Sequence, residues 1–325
     1  MCTSIAMKWG GGYFGRNMDV EYSFGEQVAV TPRRYPLRFW RQPEQAEHFA
    51  LIGMAHVAGG RPLYAEAANE KGLYMAGLNL PGSAWYEPDP PEGCDAVAPY
   101  ELIPWVLGSC ATLAEVKARL ARFRPLGVPL AAGLPLAPLH WHIADRTGAL
   151  VLEATREGVR LYDDPVGVLT NNPPFPFHQL NLSQYQHLTA RPTENRLAPG
   201  LPLEAFGQGM GAIGLPGDAS PASRYVRAAF CKLNAPDPGG ELERVSDFFH
   251  LLDAVAMVRG SVLTPEGKWD MTTYACCFSA GAGTYYYKPH GNSRLSAVRL
   301  AGADLDSGEV QLFPLCQEQD VRMLN

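Results

Sequence analysis

Long apolar runs are missing from this sequence. No stretch approaches the roughly 20 residues that cross a bilayer, so no transmembrane segment and no membrane partner are expected. Residues 1–12 carry one lysine and no apolar segment of the secretory kind, and the expected compartment is the cytoplasm. Charge is sparse as well, at 18% of residues and a net −6, with no basic stripe that would mark a nucleic-acid binder. The seven cysteines (Cys2, Cys94, Cys110, Cys231, Cys276, Cys277 and Cys316) are odd in number and form no C-x-x-C pair. That argues against a disulfide framework or a zinc ribbon and leaves six of them as small buried hydrophobes or inert thiols. His140 and His142 share one side of a strand, yet no third ligand is in view, so no metal is expected. The run Gly209-Met210-Gly211-Ala212-Ile213-Gly214 fits G-x-G-x-x-G but follows no strand and meets Pro216 where a helix should begin. No dinucleotide site, and no cofactor of any kind, is expected.

What is present is a globular composition. Hydrophobic residues make up 46% of a 325-residue chain, which excludes disorder and supports a sizeable core. The 33 glycines and 28 prolines imply many ordered turns. Residues 86–93 and 197–217 form Pro- and Gly-rich loops, neither long nor polar enough to separate domains, so residues 1–325 read as a single domain. Alternation around Ile5 and Met7 and around Val28 and Val30 predicts strands, as do 51–57, 64–69, 140–144, 149–153, 159–162, 284–287, 297–300 and 310–313. Helices are fewer. Thr112 and Glu115 make a capping box ahead of Val116 and Leu120. Leu242, Val245, Phe249, Leu252 and Val255 keep helical spacing as far as Gly260. Two more helices are expected over 177–188 and 224–233. Many strands with a few helices between them indicate an α+β fold of stacked antiparallel sheets with helices outside.

The chemistry points to the second residue. Removal of Met1, favoured by the small side chain that follows, would give Cys2 both a thiol and a free α-amine. The thiolate is a nucleophile, and an amine with a reference pKa of about 7.7–8.0 can relay a proton near neutral pH. A Met-Cys start is by itself most often chance; four later segments change its weight.

These are Tyr13-Phe14-Gly15-Arg16-Asn17-Met18-Asp19, Gly77-Leu78-Asn79-Leu80-Pro81-Gly82, Leu169-Thr170-Asn171-Asn172-Pro173, and Gly214-Leu215-Pro216-Gly217-Asp218 followed by Ser220-Pro221 and Ser223-Arg224. In this order, and over nearly the whole length, the chain resembles the choloylglycine hydrolase family, which holds bile salt hydrolases and penicillin V acylases. The resemblance implies an Ntn-hydrolase αββα four-layer sandwich, a homotetramer, and a site of Cys2, Arg16, Asp19, Asn79, Asn171 and Arg224. A permanent cation at Arg16 suits a thiolate. Asp19 would hold the α-amine. The Asn79 and Asn171 amides would serve the oxyanion, often the largest catalytic contribution. Arg224 would reach the centre from a helix start, whereas Arg227 reads as a surface residue.

Residues 127–138 (GVPLAAGLPLAP) hold no charged or polar side chain. Such a segment is either ordinary core or an apolar wall for a greasy ligand. Leu130 and Leu134 are the candidates there, with Met18 and Ala58 beside them. Family members that act on bile salts tend to carry Asn where Asn79 stands, whereas penicillin V acylases often carry Tyr. The expected activity is therefore hydrolysis of the amide bond in glycine- or taurine-conjugated bile acids. The competing readings are a penicillin V acylase or broader N-acyl amidase, and a non-catalytic binder that retains Met1.

Overall fold

A computed structural model describes residues 1–131, 133 and 135–325. Strands numbered along the chain build two large antiparallel sheets. The first runs in the order β12 (Val168–Leu169), β1 (Cys2–Met7), β2 (Tyr13–Val20), β14 (Trp269–Ser279), β15 (Thr284–Pro289) and β16 (Ser296–Arg299), with β13 (Val262–Leu263) pairing β14. The second runs β11 (Gly158–Asp163), β10 (Gly148–Thr155), β9 (Leu139–Asp145), β6 (Tyr74–Asn79), β5 (Arg61–Asn69), β4 (Leu51–Ala58), β3 (Gln27–Thr31) and β17 (Gln311–Pro314). A short parallel pair, β7 (Asp95–Val97) and β8 (Phe123–Pro125), lies apart.

Alternation along the strands decides the layering, because successive side chains point to opposite faces. In β3, Val28 and Val30 enter one core and Ala29 the other; in β6, Tyr74, Ala76 and Leu78 enter the first and Met75 the second. The first core lies between the sheets and continues under α4 (Pro221–Asn234) and α5 (Glu241–Asp253). The second lies beneath α1 (Leu102–Leu107) and α2 (Leu113–Leu120). The stack is helix, sheet, sheet, helix, as the resemblance implies. No helix among the described residues is long and apolar enough to cross a membrane.

Three expectations need adjustment. α5 ends at Asp253, short of Gly260, and Leu242 on it faces outward, because Val245, Phe249 and Leu252 already fill the buried stripe. The helix expected over 177–188 is α3 (Phe175–Leu182), which tightens into a single 3-10 turn at Ser183–Tyr185. In the capping box, Thr112 Oγ1 accepts from the Glu115 amide as expected, but the Glu115 carboxylate reaches past Thr112 to the Ala111 amide. Of the six cysteines read as buried or inert, Cys110, Cys276 and Cys277 are buried, Cys94 and Cys231 are half-buried and Cys316 is exposed.

Candidate active site

Cys2 opens β1 and pairs in register with Met18 of β2, at the inner face between the sheets. It is 2% exposed. Met1 is still attached, so the Cys2 nitrogen is a peptide amide, and it donates to Asn171 Oδ1 at 2.8 Å. The Met1 ammonium lies against the Asp19 carbonyl and 3.3 Å from Asp270 Oδ2. β2 carries three of the expected residues, and Gly15 among them is fixed by packing. A Cβ there would stand 1.9 Å from the Cys276 carbonyl oxygen of β14.

Arg16 and Arg224 are wholly buried, and each is satisfied on several sides. The Arg16 guanidinium donates to the Gly77 carbonyl at 2.5 Å and reaches Met18 Sδ at 3.6 Å; that sulfur lies 3.9 Å from Cys2 Sγ. Burial alone would push this guanidinium down, but the fields of Cys2, Tyr274 and Glu66 outweigh it and hold Arg16 above its ordinary range. Glu66 lies 3.7 Å away and accepts from the Tyr274 hydroxyl at 2.8 Å and the Tyr285 hydroxyl at 2.6 Å. Burial pushes the Glu66 carboxyl up against the pull of Arg16 and these donors.

Arg224 reaches the centre because α4 starts where it does. Ser220 caps the helix, Pro221 occupies its first turn, and the Asp218 carboxylate accepts from Ser220 N and Ser223 Oγ. Those serine hydrogen bonds hold Asp218 down at about 2. Arg224 Nη1 then donates to the Cys2 carbonyl and Thr3 Oγ1, both at 2.6 Å, and Nη2 to Asn171 Oδ1 at 2.7 Å. Its Nη1 is 3.8 Å from Asp19 Oδ2. Arg227, expected at the surface, is half-buried and ties the Pro216, Asp218 and Ala254 carbonyls together, away from Cys2.

Asp19 is fully buried. Burial pushes its carboxyl up, while Arg224 and the Thr272 hydroxyl, 2.6 Å from Oδ1, pull it back. Oδ2 has no hydrogen-bond partner among the described residues. Asn171 follows β12, whose approach turn is set by the Asp164 carboxylate accepting the amides of Val166, Gly167 and Val168. Its Nδ2 donates to the Asn79 carbonyl at 2.8 Å, so the two asparagines meet at the end of β6. Asn79 itself is half-buried.

Thus Cys2, Arg16, Asp19, Asn79, Asn171 and Arg224 form one connected group, with Met18 Sδ beside the Cys2 thiol. Ala58 lies elsewhere, at the exposed end of β4, bordering a hollow of about 370 Å³ whose other walls include Tyr35, Arg61 and Pro104. Leu130 is 40% exposed, and Leu134 lies outside the described residues. Sequence reasoning missed Glu66, Asp270 and Thr272, single polar residues in strands whose partners are far away in the chain. His140 and His142 are buried: His140 pairs with Glu153, and His142 lies between Ser4 and Asp164. Among the described residues no group of His, Cys, Asp or Glu could hold a metal ion.

Residues 2–313 match the model of linear amide C–N hydrolases, choloylglycine hydrolase family. The chain is 40% identical over 325 residues to a bile salt hydrolase/transferase of Lactiplantibacillus plantarum, covering 100% of both. It is 37% identical over 310 residues to a conjugated bile acid hydrolase of Lactobacillus acidophilus, covering 94% of this chain and 98% of that one. A mutant of the Clostridium perfringens conjugated bile acid hydrolase superposes with a TM-score of 0.92 at 36% identity over 100% of both chains. A penicillin V acylase of Agrobacterium tumefaciens shares the fold at a TM-score of 0.76 and 18% identity, over 96% of this chain and 91% of that one. From the match over residues 2–313 and the 40% identity over the full length, the chain belongs to the choloylglycine hydrolase family of linear amide C–N hydrolases.

Proposed function

We propose that the protein hydrolyses the amide bond of glycine- or taurine-conjugated bile acids, with Cys2 as an N-terminal nucleophile. The observation that carries this reading is the connected group around Cys2, in a chain of this family whose relatives are named for that substrate. Loss of Met1 exposes the Cys2 amine, and the unpartnered Oδ2 of Asp19 is the acceptor suited to hold it. The thiolate adds to the amide carbonyl, and its carbon–oxygen π pair moves onto oxygen, where Asn79 and Asn171 stabilise it. Collapse breaks the carbon–nitrogen bond as the amine passes a proton to the leaving glycine or taurine nitrogen. Water then adds to the thioester and releases free bile acid and the thiol. An amino acid taking the place of water would give acyl transfer.

The steroid binds against Met18 and the loop of residues 127–138, with Leu130 and Leu134 as candidate walls. The described residues of that loop are exposed or half-exposed, which removes the core-packing explanation for its apolar composition. We also assign a homo-oligomer, a homotetramer as the resemblance implies. Leu197, Leu201, Leu203, Phe206 and Ile213 stand exposed within one segment, and this apolar surface suits a second copy. The cytoplasm is the assigned compartment, in keeping with seven free cysteines.

The test is release of glycine and taurine from glycocholate and taurocholate by wild type, Cys2→Ser and Cys2→Ala, with phenoxyacetate release from penicillin V alongside. Both variants should lose nearly all turnover, because a hydroxyl is far less ionised than a thiol at neutral pH. Full activity in a preparation whose mass shows Met1 retained would overturn the reading.

A further inference from the structure

Asn171 is gripped through its side chain by Cys2, Arg224 and Asn79, but its backbone is gripped too, by residues that the reaction scheme does not use. His178 Nε2 lies 2.8 Å from the Asn171 carbonyl, and His140 Nε2 lies 3.0 Å from the carbonyl of Thr170. Both rings are wholly buried. A carbonyl can only accept, so Nε2 of each ring bears a proton. The two histidines come from different layers, β9 and α3, and one carboxylate joins them. Glu153 Oε1 of β10 lies 2.9 Å from His140 Nδ1 and accepts the Phe175 amide, which opens α3, at 3.0 Å. His178 is also fixed sideways: its ring stacks on Tyr225, the neighbour of Arg224 in α4, with centroids 5.0 Å apart and planes 24° from parallel. Burial pushes the His178 imidazole down, consistent with a neutral Nε2–H donor.

We propose that His178 and His140 are positioning residues of the amidase reaction, clamping two successive backbone carbonyls so that Asn171 is aimed at Cys2 and the reacting carbonyl. The proposal rests on the bile-acid amidase reading above and deepens it. A full set of side-chain bonds does not fix Asn171 if its own backbone can swing, and a displacement of about 1 Å at a reacting centre costs on the order of 100-fold in rate. Neither ring touches the reacting atoms, so substrate affinity should be nearly untouched.

The experiment compares kcat and KM for glycocholate in wild type, His178→Gln, His178→Asn and His178→Leu, with Tm recorded for each. Gln extends an N–H toward the Nε2 position, whereas Asn stops near Nδ1 and Leu has no donor. Leu and Asn should lower kcat on the order of 100-fold with KM changed less than about threefold, and Gln should recover at least a tenfold share of the loss. If the Leu variant does not fold, the contrast between Gln and Asn, two polar side chains, decides. Equal kcat in those two at equal Tm overturns the clamp, as does wild-type kcat in the Leu variant. The alkylation rate of Cys2 by iodoacetamide, read on its own peptide by mass spectrometry, is followed in all four proteins. A wild type inert on bile salts would sink the substrate reading, and the clamp would then stand or fall on whether Asn and Leu, but not Gln, alter that alkylation rate.

Discussion

Replacing Arg224 by Met keeps an unbranched apolar stem, shorter than that of arginine, and removes its charge and all its donors. Four acceptors lose a donor: the Cys2 carbonyl, Thr3 Oγ1, Asn171 Oδ1 (which keeps the Cys2 amide) and the Ala219 carbonyl, at 2.6, 2.6, 2.7 and 3.0 Å. Hydrogen bonds to a charged group are worth about 1.5–3 kcal/mol each. A simple sum overshoots, because the Asp19 carboxylate, 3.8 Å away and left without its cation, relieves itself by taking up a proton. Breaking a buried pair by removing one partner typically costs about 3–5 kcal/mol, and that is the expected loss. Urea unfolding at fixed protein concentration should show it as a lower midpoint with unchanged m. Arg227→Met, which releases three loop carbonyls remote from Cys2, is the control: it should cost less stability and leave kcat within about threefold of wild type. A loss below about 1 kcal/mol for Arg224→Met would refute the reasoning, as would equal kinetic damage from the two arginines.

Three further outcomes are expected. Burial raises the Asp19 carboxyl, so its ionised form, the one that can hold an ammonium, is lost on acidification at a higher pH than for an ordinary aspartate; Thr272→Val removes a donor to that form and should move the acid limb of the kcat/KM profile further up, whereas an unmoved limb would contradict the role of Thr272. Leu130→Glu places a charge on the proposed apolar wall and should raise KM for glycocholate about tenfold with little change in kcat, read from initial rates. Phe206, 90% exposed, should matter for assembly and not for chemistry, so Phe206→Glu is expected to lower the mass measured by light scattering after gel filtration.

Much of the fold is legible in the chain because period-2 alternation survives where one face is more apolar than the other, as in β3 and β9. It fails in β14. There Tyr274 through Ser279 are buried without interruption, because that strand is central in its sheet and covered on both faces, so no alternation remains to be read. α1 is hidden for the same reason, all six of its residues being buried. The site divides along similar lines. Cys2 announces itself through position and type, and Arg16, Asp19, Asn79, Asn171 and Arg224 through the motifs that carry the family resemblance. Glu66 and Asp270 carry no local sign, since what makes them significant is Tyr285 or the Met1 ammonium, brought near only by the sheet. His140 and His142 carry no local sign of their partners either: His140 lies between Glu153 and the Thr170 carbonyl, and His142 between the Ser4 hydroxyl and Asp164.

The strand order has a consequence for synthesis. β2, which bears Arg16 and Asp19, finds one neighbour at once in β1, but its other neighbour is β14; likewise β3 must wait for β17. Ribosomes add roughly 5–20 residues per second, so these edges stay open for about ten seconds to a minute while the intervening chain emerges. An open edge is a template for strands of other chains. Yield at high expression should therefore be limited by crowding among half-made molecules, and a lower expression level, with fewer nascent chains present at once, should recover a larger share of folded protein.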